Sequence, residues 1–230
     1  MQDNASKMKF GAIKSLLFDL DGTLIDTSSG IVEATNFALC AIGDTPRRAD
    51  EITPFIGFPL ELMFAHFSSK SYEDFFRNFQ IRGIVSIAES AIALDGADMV
   101  LHRAYENGFK IGIGTHKMRI HIDRIIQKLG WKDIISVYAG ADDVKHGKPD
   151  PEVYLKIMEL LGGSRQDSLV IGDTINDVLA AHAAGLPVVA VKSPFGDNIK
   201  LAESQPDILI DNIAGLLPLL GLPPLREPEK

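Results

Sequence analysis

The sequence predicts an α/β fold, in which a parallel β-sheet carries helices on both faces and a small helical cap domain is inserted near its start. Short apolar runs alternate with longer segments of helical period along most of the chain, which is the pattern of a parallel sheet covered by helices. The alternation is interrupted once, over residues 26–93, where no convincing strand pattern occurs. We therefore predict a core built from residues 1–25 and 94–230 and a helical cap domain at 26–93.

Six short apolar runs are predicted to be the strands of the core. Most of them are rich in Val and Ile, as expected of strands that are buried on both faces. The runs are Ser15–Asp19, Lys110–Thr115, Ile135–Ala139, Leu169–Asp173, Pro187–Val191 and Ile208–Ile210.

Segments of helical period alternate with these strands and are predicted to be the crossover helices. Several end at a glycine, such as Gly130 and Gly185, because glycine readily adopts the left-handed conformation that closes a helix. The inserted segment has its own amphipathic pattern, with apolar residues at Ile31, Ala34 and Ala38. The predicted core helices cover about residues 97–107, 118–129, 151–162, 176–185 and 212–220.

Composition and charge limit the classes of function. Of the 230 residues, 46% are hydrophobic and 23% are charged, which is the balance of an ordinary globular protein. The formal net charge of −8 would repel a phosphate backbone, and no block of Lys and Arg offsets it, so nucleic acid is a poor partner. The single cysteine, Cys40, cannot form an internal disulfide, and its apolar neighbours predict that it is buried.

The sequence contains no recognisable signal for a membrane or for export. The N-terminal segment MQDNASKMKF has no apolar h-region, and no later stretch reaches the roughly 18 apolar residues that cross a bilayer. We therefore expect a cytoplasmic protein that does not bind membranes.

The first predicted strand ends in two carboxylates, Asp19 and Asp21, followed by Gly22. Side chains two positions apart start toward the same side of a strand, so both acids can face one crevice at the carboxyl edge of the sheet. Gly22 permits a sharp turn that brings backbone amides close to a ligand. The alternative interpretation is a solvated acidic loop.

Two weaker patterns follow further along the chain. Thr115 ends the strand that begins at Lys110, where its hydroxyl could donate to a phosphate oxygen, although threonine is also common in strands for its β propensity. Lys148 precedes Pro149 at the start of a helix, which would hold the cation in place, although a surface turn with an exposed lysine is the alternative.

A second pair of carboxylates, Asp173 and Asp177, follows another buried strand. Asp177 could instead be an acid at a helix N-terminus, an explanation that does not apply to Asp173. Several carboxylates in one crevice would raise one another's pKa values unless a cation joined them. Hard oxygen ligands suit Mg²⁺, so the sequence predicts a magnesium site.

Together these segments resemble the haloacid dehalogenase superfamily of phosphatases. Its four motifs are an Asp-x-Asp-Gly-Thr loop, a Thr or Ser, a Lys, and a Gly-Asp-x-x-x-Asp loop, and all four occur here in order. The resemblance runs from about Lys14 to Leu220 and implies a Rossmann-like core. The inserted segment is similar to the small cap of the phosphoglycolate phosphatase and phosphoglucomutase branch.

The resemblance implies a reaction and a role for each motif residue. Asp19 would attack phosphorus to form an aspartyl-phosphate, while Asp21 would protonate the departing oxygen and later activate water. The implied phosphate-binding residues are Gly22, Thr115, His116 and Lys148. His116 departs from the branch, which commonly has asparagine or serine at this position, and an exposed loop histidine is its alternative.

The resemblance also implies how Mg²⁺ would be held. Asp19 and Asp173 would bind it through their side chains and Asp21 through its backbone carbonyl. Asp177 would act from the second coordination shell or through a water molecule.

Several functions share these motifs. The implied activity is hydrolysis of a small phosphorylated metabolite, for which a phosphoglycolate-like compound or a sugar phosphate is the expected substrate. The alternatives are a sugar-phosphate mutase, an inorganic pyrophosphatase, or a non-enzymatic phosphoacceptor signalling domain. The basic cap residues Arg77, Arg82, His66 and Lys70 are interpreted as solvated helix residues, and neither the substrate nor the oligomeric state follows from the sequence.

Overall fold

A six-stranded parallel sheet forms the centre of the computed structural model, which describes residues 10–223. A separate pair of two-residue strands lies beside it. The strands are β1 Ser15–Phe18, β2 Ile25–Asp26, β3 Ile92–Ala93, β4 Lys110–Gly114, β5 Val137–Ala139, β6 Ser168–Gly172, β7 Val188–Val191 and β8 Ile208–Ile210.

The strand order of the large sheet is β5-β4-β1-β6-β7-β8, and every neighbouring pair is parallel. Strand β1 therefore lies between β4 and β6, with Phe18 level with Ile113 on one side and Ile171 on the other. The chain builds the sheet outward in one direction from β1 and then in the other. Such a switch point leaves a crevice at the carboxyl ends of the strands, where α/β proteins bind their ligands.

Helices cover both faces of the sheet and form the insertion. Short 3-10 segments also occur, at Phe10–Ala12, Thr53–Phe55, Ala141–Asp143 and Ile213–Gly215. The α-helices are α1 Ser28–Ala41, α2 Ala49–Ile52, α3 Leu60–Phe67, α4 Tyr72–Ser90, α5 Ala97–Glu106, α6 Arg119–Leu129, α7 Glu152–Leu160, α8 Ile175–Ala184, α9 Asn198–Glu203 and α10 Leu216–Leu219.

The side chains of alternate strand residues point into two hydrophobic cores. Leu16 and Phe18 point to a core that also contains apolar residues of α5 and α6 and continues into the insertion. Leu17 and Val170 point to a second core, which includes residues of α7 and α8. A strand with apolar residues on both faces is stable only between two layers of helix, and this explains the apolar runs of the sequence.

The insertion consists of α1 to α4 and joins the core through the antiparallel pair β2 and β3, in which Ile25 is opposite Ala93. Helices α1 and α4 pack closely at Gly30, and the Ser86 hydroxyl donates to the Gly30 carbonyl over 3.0 Å. We call residues 27–91 the helical insertion. Its two ends meet at one short ribbon beside β1, close to the carboxyl edge of the sheet.

The predicted fold class is confirmed, whereas some details of the sequence interpretation are wrong. The segment 212–220 is a 3-10 turn followed by the four-residue helix α10, not one regular helix. Helix α9 and the strands β2 and β3 were not predicted. Cys40 is exposed because α1 buries Ala34, Ala38 and Leu39 on its opposite face.

No helix within residues 10–223 combines the length and the apolar character that crossing a membrane requires.

Candidate active site

The carboxyl ends of three adjacent strands place the predicted functional residues together. Asp19 follows β1, Thr115 follows β4 and Asp173 follows β6. Because these strands are parallel and in register, the residues that follow them lie at the same edge of the sheet. All three side chains are buried.

Lys148 connects two of the acids at this edge. Its Nζ lies 2.5 Å from Asp19 Oδ1 and 2.6 Å from Asp177 Oδ1, and it donates to the Gly114 carbonyl over 3.2 Å. Burial disfavours the ammonium, but the charges of Asp177 and Asp19 outweigh burial and raise the pKa of Lys148. The lysine is therefore a fixed positive charge beside the Asp19 carboxylate.

Both oxygens of Asp177 are already bonded to the protein. Oδ1 accepts from Lys148 and from the Tyr154 hydroxyl at 2.7 Å, and Oδ2 accepts from the Thr174 hydroxyl at 2.6 Å and the Thr174 amide at 3.0 Å. Burial raises the pKa of Asp177, but Lys148 and these hydrogen bonds more than offset it, so the net shift is downward. Asp177 stays ionised, holds Lys148 and completes the N-terminal cap of α8.

The carboxylates of Asp19 and Asp173 have fewer hydrogen-bond and charged partners than that of Asp177. Asp19 Oδ2 is buried without a hydrogen-bond partner in the described part of the chain, while Asp173 Oδ1 accepts from the Thr23 hydroxyl over 2.8 Å. Burial raises the pKa of Asp173 well above its ordinary value, and the charges of Asp19 and Asp177 raise it further. Burial also raises the pKa of Asp19, although Lys148 opposes this.

A divalent cation fits this group of acids. Asp19, Asp173 and Asp177 each offer an oxygen, and the three oxygens lie within 4.8 Å of one another. One lysine cannot balance three buried carboxylates, and Asp19 Oδ2 is an oxygen without a partner. Hard carboxylate oxygens with this excess of negative charge suit Mg²⁺. Since Asp177 has no free oxygen, Asp19 and Asp173 are the better side-chain ligands.

Position 22 requires a glycine, because a side chain would not fit there. Its φ is +82°, and a Cβ at this position would lie 2.1 Å from Asp173 Oδ2. Its amide donates to the Ile25 carbonyl over 2.9 Å, so the amide is used within the loop. The structure supports a close approach of the first loop to Asp173 at Gly22, and the phosphate contact of Gly22 stays a prediction.

Asp21 is held by two buried partners that the sequence interpretation missed. The Thr27 hydroxyl donates to Oδ1 over 2.6 Å, and Lys117 Nζ lies 2.8 Å from Oδ2. Lys117 also donates to the Thr27 hydroxyl over 3.1 Å. Residues from the first loop, the start of α1 and the loop after β4 therefore fix the position of this carboxylate.

Thr115 and His116 follow β4 but face different surroundings. The Thr115 hydroxyl accepts from the Lys117 amide over 3.2 Å and adjoins a cavity. The two ring nitrogens of His116 lie 3.0 Å from the carbonyls of Gly57 and Lys148. Burial and the charge of Lys148 lower the pKa of His116. His116 therefore lies between the insertion and the Lys148 loop, and its role in phosphate binding stays a prediction.

A cavity of about 420 Å³ separates the insertion from this edge of the core. Asp21, Thr115 and Lys117 line it on the core side, and mostly hydrophobic side chains of the insertion line it on the other. Its size is typical of pockets for small organic ligands, about 300–1,000 Å³. Asp21 lines this cavity whereas Asp19 and Asp173 do not, so a small organic ligand in it can contact Asp21 and the insertion together.

The basic residues of the insertion do not reach this cavity within the described structure. Arg77 pairs with Glu73 and Asp74, Arg82 pairs with Glu33, and Lys70 donates to the carbonyls of Ile42 and Gly43. His66 stacks with Phe55 and Phe67 on the surface.

The comparisons with known proteins agree on one family. The family model described as "Haloacid dehalogenase-like hydrolase" matches residues 16–191. A phosphoglycolate phosphatase of Yersinia pestis is 28% identical over 233 residues, covering 96% of this chain and 99% of that protein. The pyrophosphatase PpaX of Bacillus cereus is 28% identical over 209 residues, covering 91% of this chain and 97% of that protein.

The fold is similar to solved structures as well. A haloacid dehalogenase-like hydrolase of Bacteroides fragilis superimposes with a TM-score of 0.83 at 28% identity, covering 89% of this chain and 99% of that chain.

Proposed function

The chain belongs to the haloacid dehalogenase-like hydrolase family and is a phosphatase, and we propose that it hydrolyses small phosphomonoesters through an aspartyl-phosphate on Asp19, with Mg²⁺ as cofactor. One observation carries the proposal: Asp19 Oδ2 is buried without a partner while Lys148 holds the other oxygen of the same carboxylate. A nucleophile of this kind has to be positioned, unshielded on one side and close to positive charge.

The first step transfers the phosphoryl group to the protein. The Asp19 carboxylate attacks phosphorus, the bond from phosphorus to the leaving oxygen breaks, and Asp21 gives its proton to that oxygen. Lys148 and the Thr115 hydroxyl lie at the same edge and stabilise the charge on the phosphoryl oxygens.

The second step releases phosphate. Asp21, now a carboxylate, takes a proton from water, and the resulting hydroxide attacks phosphorus and breaks the bond to Asp19. Thr27 and Lys117 keep Asp21 in place for both steps. Mg²⁺, held by the side chains of Asp19 and Asp173 and by the Asp21 carbonyl, would supply positive charge beside the phosphoryl oxygens.

We assign residues 26–93 as a cap domain that covers the reaction site. The support is the cavity between the insertion and the core and the contact of His116 with the Gly57 carbonyl. Closing such a site excludes bulk solvent and strengthens the electrostatic interactions within it.

The two acids of the first loop provide the test. Asp19→Asn removes the nucleophile, so we expect neither turnover nor a covalent adduct with an aryl phosphate. Asp21→Asn keeps the nucleophile but cannot activate water, so the phosphorylated protein should accumulate when the leaving group departs without protonation. Intact-protein mass spectrometry measures the added phosphoryl group. An adduct on Asp19→Asn, or on a residue other than Asp19 in Asp21→Asn, would contradict the proposal.

A further inference from the structure

We infer that the leaving group of the physiological substrate is uncharged and mainly apolar, with a single hydroxyl or carbonyl that meets His121. This inference rests on the proposed phosphatase function and concerns the cavity between the helical insertion and the core. It excludes phosphoglycolate and pyrophosphate as preferred substrates, because both have an anionic leaving group.

The charges that line the cavity oppose an anion. Lys117 is the one Lys or Arg side chain that lines it among residues 10–223, and its ammonium lies 2.8 Å from the Asp21 carboxylate. Glu61 and Asp142 line the cavity as well and add negative charge. Because Lys117 also donates to the Thr27 hydroxyl, a carboxylate or phosphate of the leaving group would lose water and gain only a cation that is already hydrogen-bonded within the protein, beside two further acids.

The wall formed by the insertion is hydrophobic. Phe55, Phe58, Phe76, Phe79 and Met63 are among the side chains that line it. Aromatic and Met side chains adapt to an apolar ligand and stabilise it by removing its surface from water. The cavity volume of about 420 Å³ is also larger than a two-carbon acid would fill. The cavity therefore fits a bulkier, less polar leaving group.

His121, on the core helix α6, adds a polar group to the lining of the cavity. Its side chain is 2% exposed, lines the cavity, and has no hydrogen-bond partner at either ring nitrogen among the residues that the structure describes. Burial, together with the charge of Lys117, lowers the pKa of His121 to about 4, so the ring is neutral near pH 7. A neutral imidazole offers one donor and one acceptor, which match a hydroxyl or a carbonyl.

Three phosphomonoesters of equal size test the inference. Phosphoglycolate, phosphoglycolamide and isobutyl phosphate have the same heavy-atom skeleton, but their leaving groups carry a carboxylate, an amide and only methyl groups. We expect KM for phosphoglycolate to be at least tenfold higher than for either neutral compound, since the charge affects binding of the leaving group. Benzyl phosphate, which fills more of the apolar wall, should have the lowest KM.

Two variants at neighbouring positions of α4 test whether the difference in KM arises in the cavity. Gln80 lines the cavity, whereas Ile81 is 60% exposed and does not. Gln80→Lys should lower KM for phosphoglycolate at least fivefold and raise it for benzyl phosphate, and Ile81→Lys should leave both within twofold. His121→Phe should raise KM for phosphoglycolamide and not for isobutyl phosphate.

The outcomes separate the inference from the proposed function. If phosphoglycolate or pyrophosphate has the highest kcat/KM, or if Gln80→Lys changes nothing, the inference is overturned while the phosphatase assignment stands. If no phosphate is released from any of these compounds in the presence of Mg²⁺, and Asp21→Asn gives no adduct with an aryl phosphate, the proposed function fails and the inference fails with it.

Discussion

At the scale of single residues, two buried lysines each contact a different aspartate of the first loop. Lys148 contacts Asp19, and Lys117 contacts Asp21. The acid that is proposed to attack phosphorus and the acid that is proposed to transfer protons therefore have separate counter-charges. This separation allows two identical side chains, two positions apart, to perform different chemistry.

The acids of the site should respond to pH in opposite directions. The pKa of Asp173 is raised above its ordinary value of 3.8, so the folded protein keeps a proton that the unfolded chain releases. Its stabilising contribution is complete below pH 3.8 and is lost as the pH rises through the folded pKa. The pKa of Asp177 is lowered, so its contribution is present above 3.8 and is lost as the pH falls through its folded pKa.

We therefore predict that Asp173→Asn raises the Tm of the metal-free protein at pH 8, whereas Asp177→Asn lowers it. Each carboxyl contributes up to about 1.4 kcal/mol per pH unit, which corresponds to a few degrees in Tm. Thermal unfolding in EDTA at pH 5 and pH 8 measures this. Addition of Mg²⁺ at pH 8 should raise the Tm of the wild type and not that of Asp173→Asn. Equal shifts for the two variants would show that the acids are not differently stabilised.

At the scale of elements, the contact between α1 and α4 depends on one glycine. A Cβ at Gly30 would lie 2.3 Å from the Ser86 carbonyl oxygen and from the Ser90 hydroxyl. Replacing glycine by alanine within a helix normally stabilises it by about 1 kcal/mol. Here the added methyl has to push two helices apart, and overpacking of this kind costs about 1–3 kcal/mol.

We predict that Gly30→Ala lowers the free energy of unfolding, against the helix propensity of alanine. Gly11→Ala is the matched control, because nothing lies within 4 Å of a Cβ built there. Urea denaturation followed by circular dichroism measures both variants. A Gly30→Ala protein as stable as the wild type would mean that α1 and α4 are not held at this separation.

The main elements could be predicted from the sequence because their signals are local. The apolar runs of the six core strands and the glycines after α6 and α8 are sufficient to place them. Strands β2 and β3 have only two residues each and no periodicity, so only their pairing defines them. Helix α9 is short and begins at a cap formed by Asp197, a signal that occurs in many loops.

The candidate site could be predicted only in part for a similar reason. Asp19, Asp173 and Lys148 follow motifs that are visible in the sequence, and the structure brings them together, while their catalytic roles stay predictions. Thr27 and Lys117 are 90 positions apart and become partners only through the fold. Tyr154 shows no polar signal in the sequence, since it occupies an apolar position of α7, yet its hydroxyl contacts Asp177.

At the scale of the whole molecule, the insertion and the core meet at the β2 and β3 ribbon, along α4 and α6, and at Gly57. Between the two helices, Arg124 and Lys128 of α6 donate to the carbonyls of Ile84 and Glu89. A Cβ at Gly57 would lie 3.0 Å from Thr174, and its carbonyl faces His116. The loop that contains Gly57 thus lies against two of the loops that carry site residues. A ligand that changes the conformation of those loops would therefore also shift the insertion.

We predict that a phosphate mimic such as vanadate, added with Mg²⁺, protects residues 55–60 from hydrogen exchange and reduces the radius of gyration measured by X-ray scattering. The expected reason is closure of the insertion over the reaction site. Helix α10 packs against α5 and the segment Ile213–Gly215 and serves as the internal control, because its exchange should not change. Unchanged exchange at 55–60 together with an unchanged radius would argue against a moving cap.

The chain enters and leaves the helical insertion through paired residues of one short ribbon, with Ile25 opposite Ala93. A gene segment encoding residues 28–91 could therefore be exchanged for another by recombination without disturbing the ladder on either side or Thr27, which donates to Asp21. In such an exchange Asp19, Asp21, Asp173 and Asp177 are inherited unchanged while the preference for one compound over another is replaced. Natural selection can then act on the choice of metabolite and on the chemistry as two separate traits within a single polypeptide.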